Sequence, residues 1–94
     1  MKFMCLWQIH EEKGHETLKA FAAMTEKTES KGMTGVKLIG RWHDVVGFTG
    51  VAIVEVNDAK ALSAWLLQWN AVMDIQVVPV LDDKETRRIG RQMA

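Results

Sequence analysis

The 94-residue chain contains one cysteine, one proline and no net charge, and it has no long run of apolar residues. Because Cys5 has no disulfide partner within the chain, we expect a packed thiol in a reducing cytosol. Twelve basic and twelve acidic side chains leave no field that would favour nucleic acid or an anionic membrane. No segment approaches the roughly 20 apolar residues of a spanning helix, and the N-terminus lacks a signal-peptide pattern. These absences predict a cytoplasmic protein that binds neither nucleic acid nor a membrane.

Alternation of side-chain character along the chain predicts four strands, each with apolar residues. The strands cover residues 2–10, 36–43, 50–56 and 74–81. The segment DVVGFTG, residues 44–50, is typical of the turn that joins the second strand to the third. The single proline, Pro79, has no backbone N–H to donate, so we expect the fourth strand to lie at an edge of the sheet.

Helical spacing of apolar residues predicts two helices between these strands. The first covers about residues 14–27, and the polar segment 27–35 after it is expected to be a break. The second has Asn57 or Asp58 as its cap. Its apolar stripe consists of Leu62, Trp65, Leu66 and Trp69.

A terminal helix is predicted over residues 82–94, because Asp82 and Glu85 have the spacing of a capping box. The order of elements is therefore β-α-β-β-α-β with an added C-terminal helix. This is the order of the ferredoxin-like arrangement, an α+β fold with a four-stranded antiparallel sheet and both helices on one face. We expect residues 1–94 to form a single domain of this kind.

The second face of the predicted sheet is also apolar. In the third strand, for example, Val51 and Ile53 point to one face while Ala52 and Val54 point to the other. Two helices cover only one face, and a monomer would leave a larger apolar patch than soluble monomers usually tolerate. We therefore predict a homodimer in which the uncovered faces pack together, with burial at about 25 cal/mol per Å² outweighing the cost of association.

Four blocks of the sequence, MKFMCLWQI, KLIGRWHD, GVAIVE and AWLLQWNAVMDIQVVPVLDD, resemble a family of short, mostly bacterial proteins known only as a domain of unknown function. The resemblance extends from the N-terminus to about Asp83. That family is grouped with the dimeric α+β barrel proteins, so the resemblance implies the same fold and a dimer. It carries no established catalytic residues. The wider superfamily includes cofactor-free monooxygenases, haem-degrading enzymes, muconolactone-type isomerases and polyketide cyclases, and we use it only as an analogy.

On each predicted strand the polar residues occupy alternate positions, which point to the same face. They are Gln8 and His10 on the first strand, Arg41 and His43 on the second, Glu55 on the third and Gln76 on the fourth. If these positions all face the same way, they line one face of the sheet. A three-residue turn centred on Gly47 would place Arg41 opposite Ile53 and diagonal to Glu55. A slip of one residue would instead place Arg41 and Glu55 on opposite faces.

Three of these polar residues are candidates for catalysis. His43 or His10 is suited to proton transfer because imidazole titrates near neutral pH, and Arg41 is suited to holding a carboxylate or an enolate. The alternative is that both histidines are solvated strand ends. In that case Arg41 pairs with Glu55 or Asp44, or protects a sheet edge.

The tryptophans have two interpretations. Trp65 and Trp69 lie one helical turn apart and are expected in the core. Trp7 and Trp42 either pack beneath the helices or border a cavity that binds a flat ligand. In the second interpretation Trp7, Gln8, Trp42 and Glu55 are the ligand-binding residues.

Spacing argues against several other sites. In HEEKGH the histidines are five residues apart, whereas a helical zinc pair has the spacing HExxH. Copper carriers of similar fold use two cysteines, and this chain has only Cys5. RNA-binding sheets of this topology stack bases on aromatic residues of the third strand, and GVAIVEV has none. We therefore predict no metal, no cofactor and no nucleic acid.

Two functions from different classes follow. The first is a homodimeric binding protein that holds a small aromatic or amphipathic molecule between sheet and helices. The second is a cofactor-free enzyme of isomerase, cyclase or monooxygenase type, with His43 or His10 as general base and Arg41 stabilising negative charge.

Overall fold

All four predicted strands form, and each ends within one residue of its expected limits. The computed structural model describes residues 1–93. The strands are β1 (Lys2–Ile9), β2 (Val36–Asp44), β3 (Thr49–Val56) and β4 (Met73–Val80). The helices are α1 (Gly14–Ala23), α2 (Glu26–Gly32), α3 (Ala59–Leu66) and α4 (Asp83–Gln92), and a 3-10 turn, Glu11–Lys13, precedes α1.

The strands form one antiparallel sheet in the order β2-β3-β1-β4. The central pair β1 and β3 is joined along its length, from Lys2 opposite Glu55 to Gln8 opposite Thr49. Strand β4 lies at an edge, as Pro79 predicts, and β2 forms the other edge. The topology confirms the expected α+β, ferredoxin-like fold. None of the helices among residues 1–93 has the length and apolar character needed to cross a bilayer.

The expected single helix over residues 14–27 is wrong, because it is interrupted after Ala23. Met24 has extended backbone, and Thr25 then starts α2 with a capping box in which Thr28 is the second member. The expected break over residues 27–35 is also wrong, since most of it belongs to α2. Gly35 makes the turn into β2 with a φ of 80°, a conformation that favours glycine.

The caps predicted for the later helices are confirmed. The Asp58 carboxylate accepts a hydrogen bond from the backbone N–H of Lys60 at 2.8 Å and so caps α3. The Asp82 carboxylate accepts a hydrogen bond from the backbone N–H of Glu85 at 2.8 Å, and the backbone N–H of Asp82 donates to Glu85 Oε1 at 3.2 Å. Every residue of α4 is exposed.

The core lies between the sheet and α3. Its buried side chains are Cys5, Met33, Ala52, Val54, Val56, Leu62 and Trp65. Cys5 pairs with Ala52 in the sheet, so the odd residues of β1 and the even residues of β3 face the helices. Burial raises the pKa of the Cys5 thiol, which therefore stays protonated and packs as a small apolar group.

A β-bulge in β2 decides which face receives Arg41. The bulge lies between Leu38, which pairs with Val54, and Gly40, which pairs with Ile53. Beyond it Arg41 pairs with Ala52 on the helix side, so the expected pairing of Arg41 with Ile53 is wrong. The expectation of one shared polar face is wrong for the same reason.

The residues with predicted roles are therefore divided between two faces. Arg41, His43 and Trp7 lie on the helix side of the sheet. Gln8, Glu55, Gln76 and Trp42 lie on the uncovered side, where 62% of Trp42 is exposed. The alternative arrangement, with Arg41 and Glu55 on opposite faces, is confirmed.

The uncovered side is organised in rows across the four strands. Two rows are mainly apolar, and they contain Trp42, Val51, Leu6 and Gln76, then Gly40, Ile53, Met4 and Val78. The rows on either side are mainly polar, and they contain Asp44, Thr49, Gln8 and Asp74, then Lys37, Glu55, Lys2 and Val80. The uncovered face therefore has apolar surface at its centre and polar or charged residues at its margins.

Candidate functional site

A cavity of about 70 Å³ lies between the helix side of the sheet and the helices α1, α2 and α3. Its wall is mostly apolar and includes Trp7, Phe21, Met24, Trp65, Trp69 and Ile75. The polar residues of the wall are Thr17, Glu29, Arg41, His43 and Gln68. His43 and Gln68 are exposed, so they mark the opening of the cavity to solvent. An apolar wall with a few converging polar groups is the usual composition of a small-molecule site.

The Phe21 ring is the centre of an aromatic cluster in this wall. The Arg41 guanidinium carbon lies 4.7 Å from the ring centroid, a distance suited to a cation–π interaction. The centroid of His43 lies 5.0 Å away and that of Trp69 lies 6.5 Å away. One helical residue thus brings together a cation and an imidazole from β2 and an indole from the segment after α3.

Trp7 extends the same cluster from β1. Its ring is edge-on to His43, with 5.6 Å between centroids. The indole packs against Gly50, the residue opposite it in β3, so closely that a Cβ at that position would lie 2.1 Å from Trp7 Cζ2. Glycine at position 50 therefore sets how closely Trp7 approaches the sheet and shapes this side of the cavity.

Arg41 forms an ion pair with Glu29 across the cavity wall, with 2.5 Å between Nη1 and Oε1. The two side chains are only 18% and 22% exposed. No N–H among residues 1–93 meets hydrogen-bond geometry at Oε1, so the contact with Arg41 is an ion pair, and a carboxylate oxygen with one such contact can accept a further hydrogen bond. The pair cancels the charge that Arg41 alone would present to a ligand.

Thr17 places a hydroxyl inside this wall. The residue is 5% exposed, and its Oγ1 has no hydrogen-bond partner among residues 1–93. Most buried hydroxyls in native proteins are bonded to protein or water, so an unbonded one needs an explanation.

The two candidate histidines differ in their surroundings. Burial and the nearby Arg41 charge lower the pKa of His43, which keeps its imidazole neutral and able to accept a proton near pH 7. His10 Nε2 lies 3.1 Å from Asp74 Oδ1, and neither residue lines the cavity. His43 thus lies at the opening of the cavity without a carboxylate among residues 1–93 paired to its imidazole, whereas His10 has the orienting carboxylate but lies outside the cavity.

The other residues predicted to bind a ligand, Gln8, Trp42 and Glu55, make contacts outside the cavity. Gln8 Nε2 donates to the carbonyl oxygens of Ile9 at 3.2 Å and Gly47 at 3.3 Å, next to the β2–β3 turn. Glu55 lies 3.5 Å from Lys2 Nζ. Trp42 lies over Gly40, with its indole where a Cβ would be. The structure therefore brings Trp7, Arg41 and His43 together and leaves Gln8, Trp42 and Glu55 on the other face.

Sequence reasoning missed Thr17, Phe21 and Glu29 as members of the site. Phe21 lies within the first predicted helix, where its apolar spacing indicates only packing, and Glu29 lies in the segment predicted to be a break. The spacing of Thr25 and Thr28 was the available signal for α2, since threonine is a favoured N-cap residue. No group of three His, Cys, Asp or Glu side chains in the described part of the chain is arranged to hold a metal ion.

No curated protein is similar enough in sequence to this chain to count as a relative. A family described as "Domain of unknown function (DUF3303)" matches residues 1–94, the whole length of the sequence. The chain therefore belongs to the DUF3303 family.

Proposed function

We propose that the protein binds a small aromatic or amphipathic molecule in the cavity between the sheet and helices α1–α3. The observation that carries this proposal is the aromatic wall itself. Trp7, Phe21 and Trp69 surround the point where Arg41 and His43 meet the apolar interior. Flat aromatic faces with a few polar groups at one side are suited to a ligand that is apolar at one end and polar at the other.

The volume of the cavity limits the size of ligand that can bind without a rearrangement of its wall. At about 70 Å³ it accommodates a few water molecules. An engineered apolar cavity that binds benzene has roughly 150 Å³. A ring-sized ligand therefore enters with part of its surface at the opening, or with a shift of the flexible Met24 side chain beside the α1–α2 break.

The proposal includes a homodimer of the dimeric α+β barrel type, formed by a single domain. Its support is the uncovered sheet face, where apolar rows lie between polar rows. That arrangement resembles a protein–protein interface with an apolar centre and a polar rim. A cytoplasmic location belongs to the same proposal, because the lone Cys5 is buried and suits a reducing compartment.

Binding is tested by two-dimensional NMR of the labelled protein titrated with toluene, phenol and benzoate, three probes with the same ring and different polar groups. We expect at least one probe to shift the indole N–H signals of Trp7 and Trp69 while leaving that of Trp42 in place. Trp7→Phe should weaken the binding several-fold. Trp42→Phe, the matched change on the uncovered face, should have no effect. Failure of all three probes to shift the cavity residues would overturn the binding proposal.

A second candidate function is cofactor-free proton transfer, and the neutral imidazole of His43 at the cavity opening favours it. In this function His43 removes a proton from a carbon next to a carbonyl group of the bound molecule. The electron pair of that C–H bond forms a carbon–carbon double bond, the π pair of the carbonyl group moves to its oxygen, and Arg41 N–H groups stabilise the resulting enolate. Return of the proton from His43 to the same carbon gives exchange with solvent, and its delivery to a different carbon of a conjugated enolate completes an isomerisation.

This second function is tested by deuterium uptake from D2O into 2-tetralone, an aromatic ketone with acidic C–H bonds. We expect the protein to accelerate uptake over buffer, and we expect His43→Gln to abolish the acceleration. His10→Gln, which removes the imidazole paired with Asp74 outside the cavity, should retain it. Equal uptake with wild type and His43→Gln would exclude His43 as the base.

A further inference from the structure

Two unsatisfied polar atoms occur together in the cavity wall. Among residues 1–93, the buried side-chain oxygens without a hydrogen-bond partner are Thr17 Oγ1 and Glu29 Oε1. Both residues line the same cavity, one from α1 and the other from α2. Buried polar atoms without hydrogen-bond partners destabilise a fold, so two of them on residues that line one cavity are consistent with a group that completes them.

The chemistry of the two oxygens restricts that group. A carboxylate oxygen only accepts hydrogen bonds, whereas a threonine hydroxyl both donates and accepts. The completing group must therefore donate at least one hydrogen bond to Glu29. Hydroxyl and N–H groups meet this requirement, and an ionised carboxylate does not.

The net charge of the wall restricts the group further. Arg41 is paired with Glu29, so the two charges cancel at this point of the cavity. An anionic ligand would have to displace Glu29 from Arg41, and a cationic ligand would lie next to the guanidinium. A neutral donor satisfies Glu29 Oε1 without disturbing the ion pair.

We infer that the cavity selects a neutral aromatic molecule with a hydroxyl or N–H donor, of the phenol or aromatic-alcohol class, in preference to aromatic carboxylates and plain hydrocarbons. This inference rests on the proposed binding function. Thr17 and Glu29 are the residues that determine the specificity. The aromatic wall contacts the ring of the ligand, and Thr17 Oγ1 and Glu29 Oε1 form hydrogen bonds with its polar substituent.

The ligand preference is measured by calorimetric or NMR titration of the wild-type protein with phenol, benzoate and toluene near pH 7. Phenol is neutral there and carries one O–H donor, benzoate is an anion without a donor, and toluene has no polar group. We expect phenol to bind at least tenfold more tightly than either of the others, because polar groups left unpaired in a site disfavour analogues that lack the matching donor.

Thr17→Val tests the hydroxyl with almost no change of shape. We expect it to weaken phenol binding about tenfold and to leave toluene binding unchanged, while the melting temperature stays level or rises because an unpaired polar atom has been removed. Thr34→Val is the control, since Thr34 is exposed and lies outside the cavity. A Thr17→Val protein that is stable and binds phenol as tightly as wild type would overturn the role of Thr17.

Glu29→Gln tests the charge argument separately. The change leaves Arg41 without its counter-charge, so we expect benzoate binding to strengthen at least tenfold and the preference for phenol to be lost. Glu55→Gln, which removes a carboxylate paired with Lys2 on the other face of the sheet, should change neither affinity. Unchanged ligand preference in Glu29→Gln would overturn the inference.

The titrations distinguish the two levels of proposal. If none of the three probes binds, the binding function fails and this inference fails with it. If toluene or benzoate binds to wild type as tightly as phenol, the cavity still binds aromatic molecules and only the donor selectivity is overturned.

Discussion

Arg41 on β2 and Glu29 on α2 form an ion pair across the cavity wall, with the Arg41 guanidinium also lying over the Phe21 ring. The pair exists because two local features coincide. The bulge in β2 turns Arg41 toward the helices, and the capping box at Thr25 starts the helix that carries Glu29. Both charged groups are largely removed from solvent, so each depends on the other for its stabilisation.

We expect Arg41→Gln to lower the free energy of unfolding by about 1–2 kcal/mol, between the values typical of exposed and of fully buried pairs. The double variant Arg41→Gln with Glu29→Gln should recover part of this loss, because neither charge is then left unpaired. Urea denaturation of the wild type, both single variants and the double variant measures the coupling. Additive effects of the two single changes would show that the pair contributes no coupling energy.

Gly50→Ala is expected to destabilise the protein by about 1–3 kcal/mol, the usual range for overpacking. The added methyl would lie 2.1 Å from Trp7 Cζ2, so the indole must move and the cavity wall must change. Urea denaturation measures the loss, and near-ultraviolet circular dichroism reports the movement of the tryptophan. Gly90→Ala in α4 is the matched control, because a Cβ there meets nothing within 4 Å. Equal stability of the two variants would contradict the close contact between Trp7 and Gly50.

Acidification should destabilise the fold partly through His43, whose pKa is lowered by burial and by Arg41. An imidazole in the unfolded chain titrates near about 6.5. As the pH falls through that value the unfolded chain binds the proton first, so the free energy of unfolding decreases.

This pH dependence is measured by urea denaturation of wild type and His43→Gln between pH 5 and pH 8. We expect the difference in stability between the two proteins to shift in favour of the variant at the acidic end. His15→Gln retains His43 and should follow the wild-type curve. Parallel curves for wild type and His43→Gln would show that His43 titrates equally in both states.

Val51→Lys should separate the proposed dimer. Val51 lies in an apolar row of the uncovered face, between Trp42 and Leu6, so a lysine there would place a charge at the centre of the interface. Analytical ultracentrifugation at micromolar concentration should give a dimer for wild type and a monomer for the variant. Val46→Lys is the control, since Val46 lies in the turn between β2 and β3 and is 91% exposed. A monomeric wild-type protein would contradict the proposed dimer.

Much of the fold follows from local rules. The alternation of side chains predicts all four strands, because a half-buried strand has a period of two residues. Pro79 predicts an edge strand because it has no N–H, and the order β2-β3-β1-β4 agrees. Asp58 and Asp82 predict two helix starts because their carboxylates satisfy free backbone N–H groups.

Local sequence patterns predict the candidate site less completely than they predict the fold. Arg41 and His43 were selected from the sequence by their chemistry, yet the face on which they lie depends on the bulge between Leu38 and Gly40. Whether a bulge forms depends on how a whole strand packs against its neighbour. The extra residue makes every side chain beyond it point to the opposite face of the sheet. Glu29 and Thr17 were not selected, because their roles arise only when α1 and α2 lie on the sheet.

The sequence by itself determined the order of the four strands and of the helices other than α2, the edge position of β4 and the apolar character of both sheet faces, since these depend on neighbours within a few residues. Only the tertiary structure decided that Arg41 meets Glu29, that Trp7 lies on Gly50, and that Thr17 and Glu29 line one cavity. Those relationships join residues far apart in the chain, and their geometry is set by the register of β2 on β3 and by the packing of helices on the sheet. Local periodicity contains no information on either.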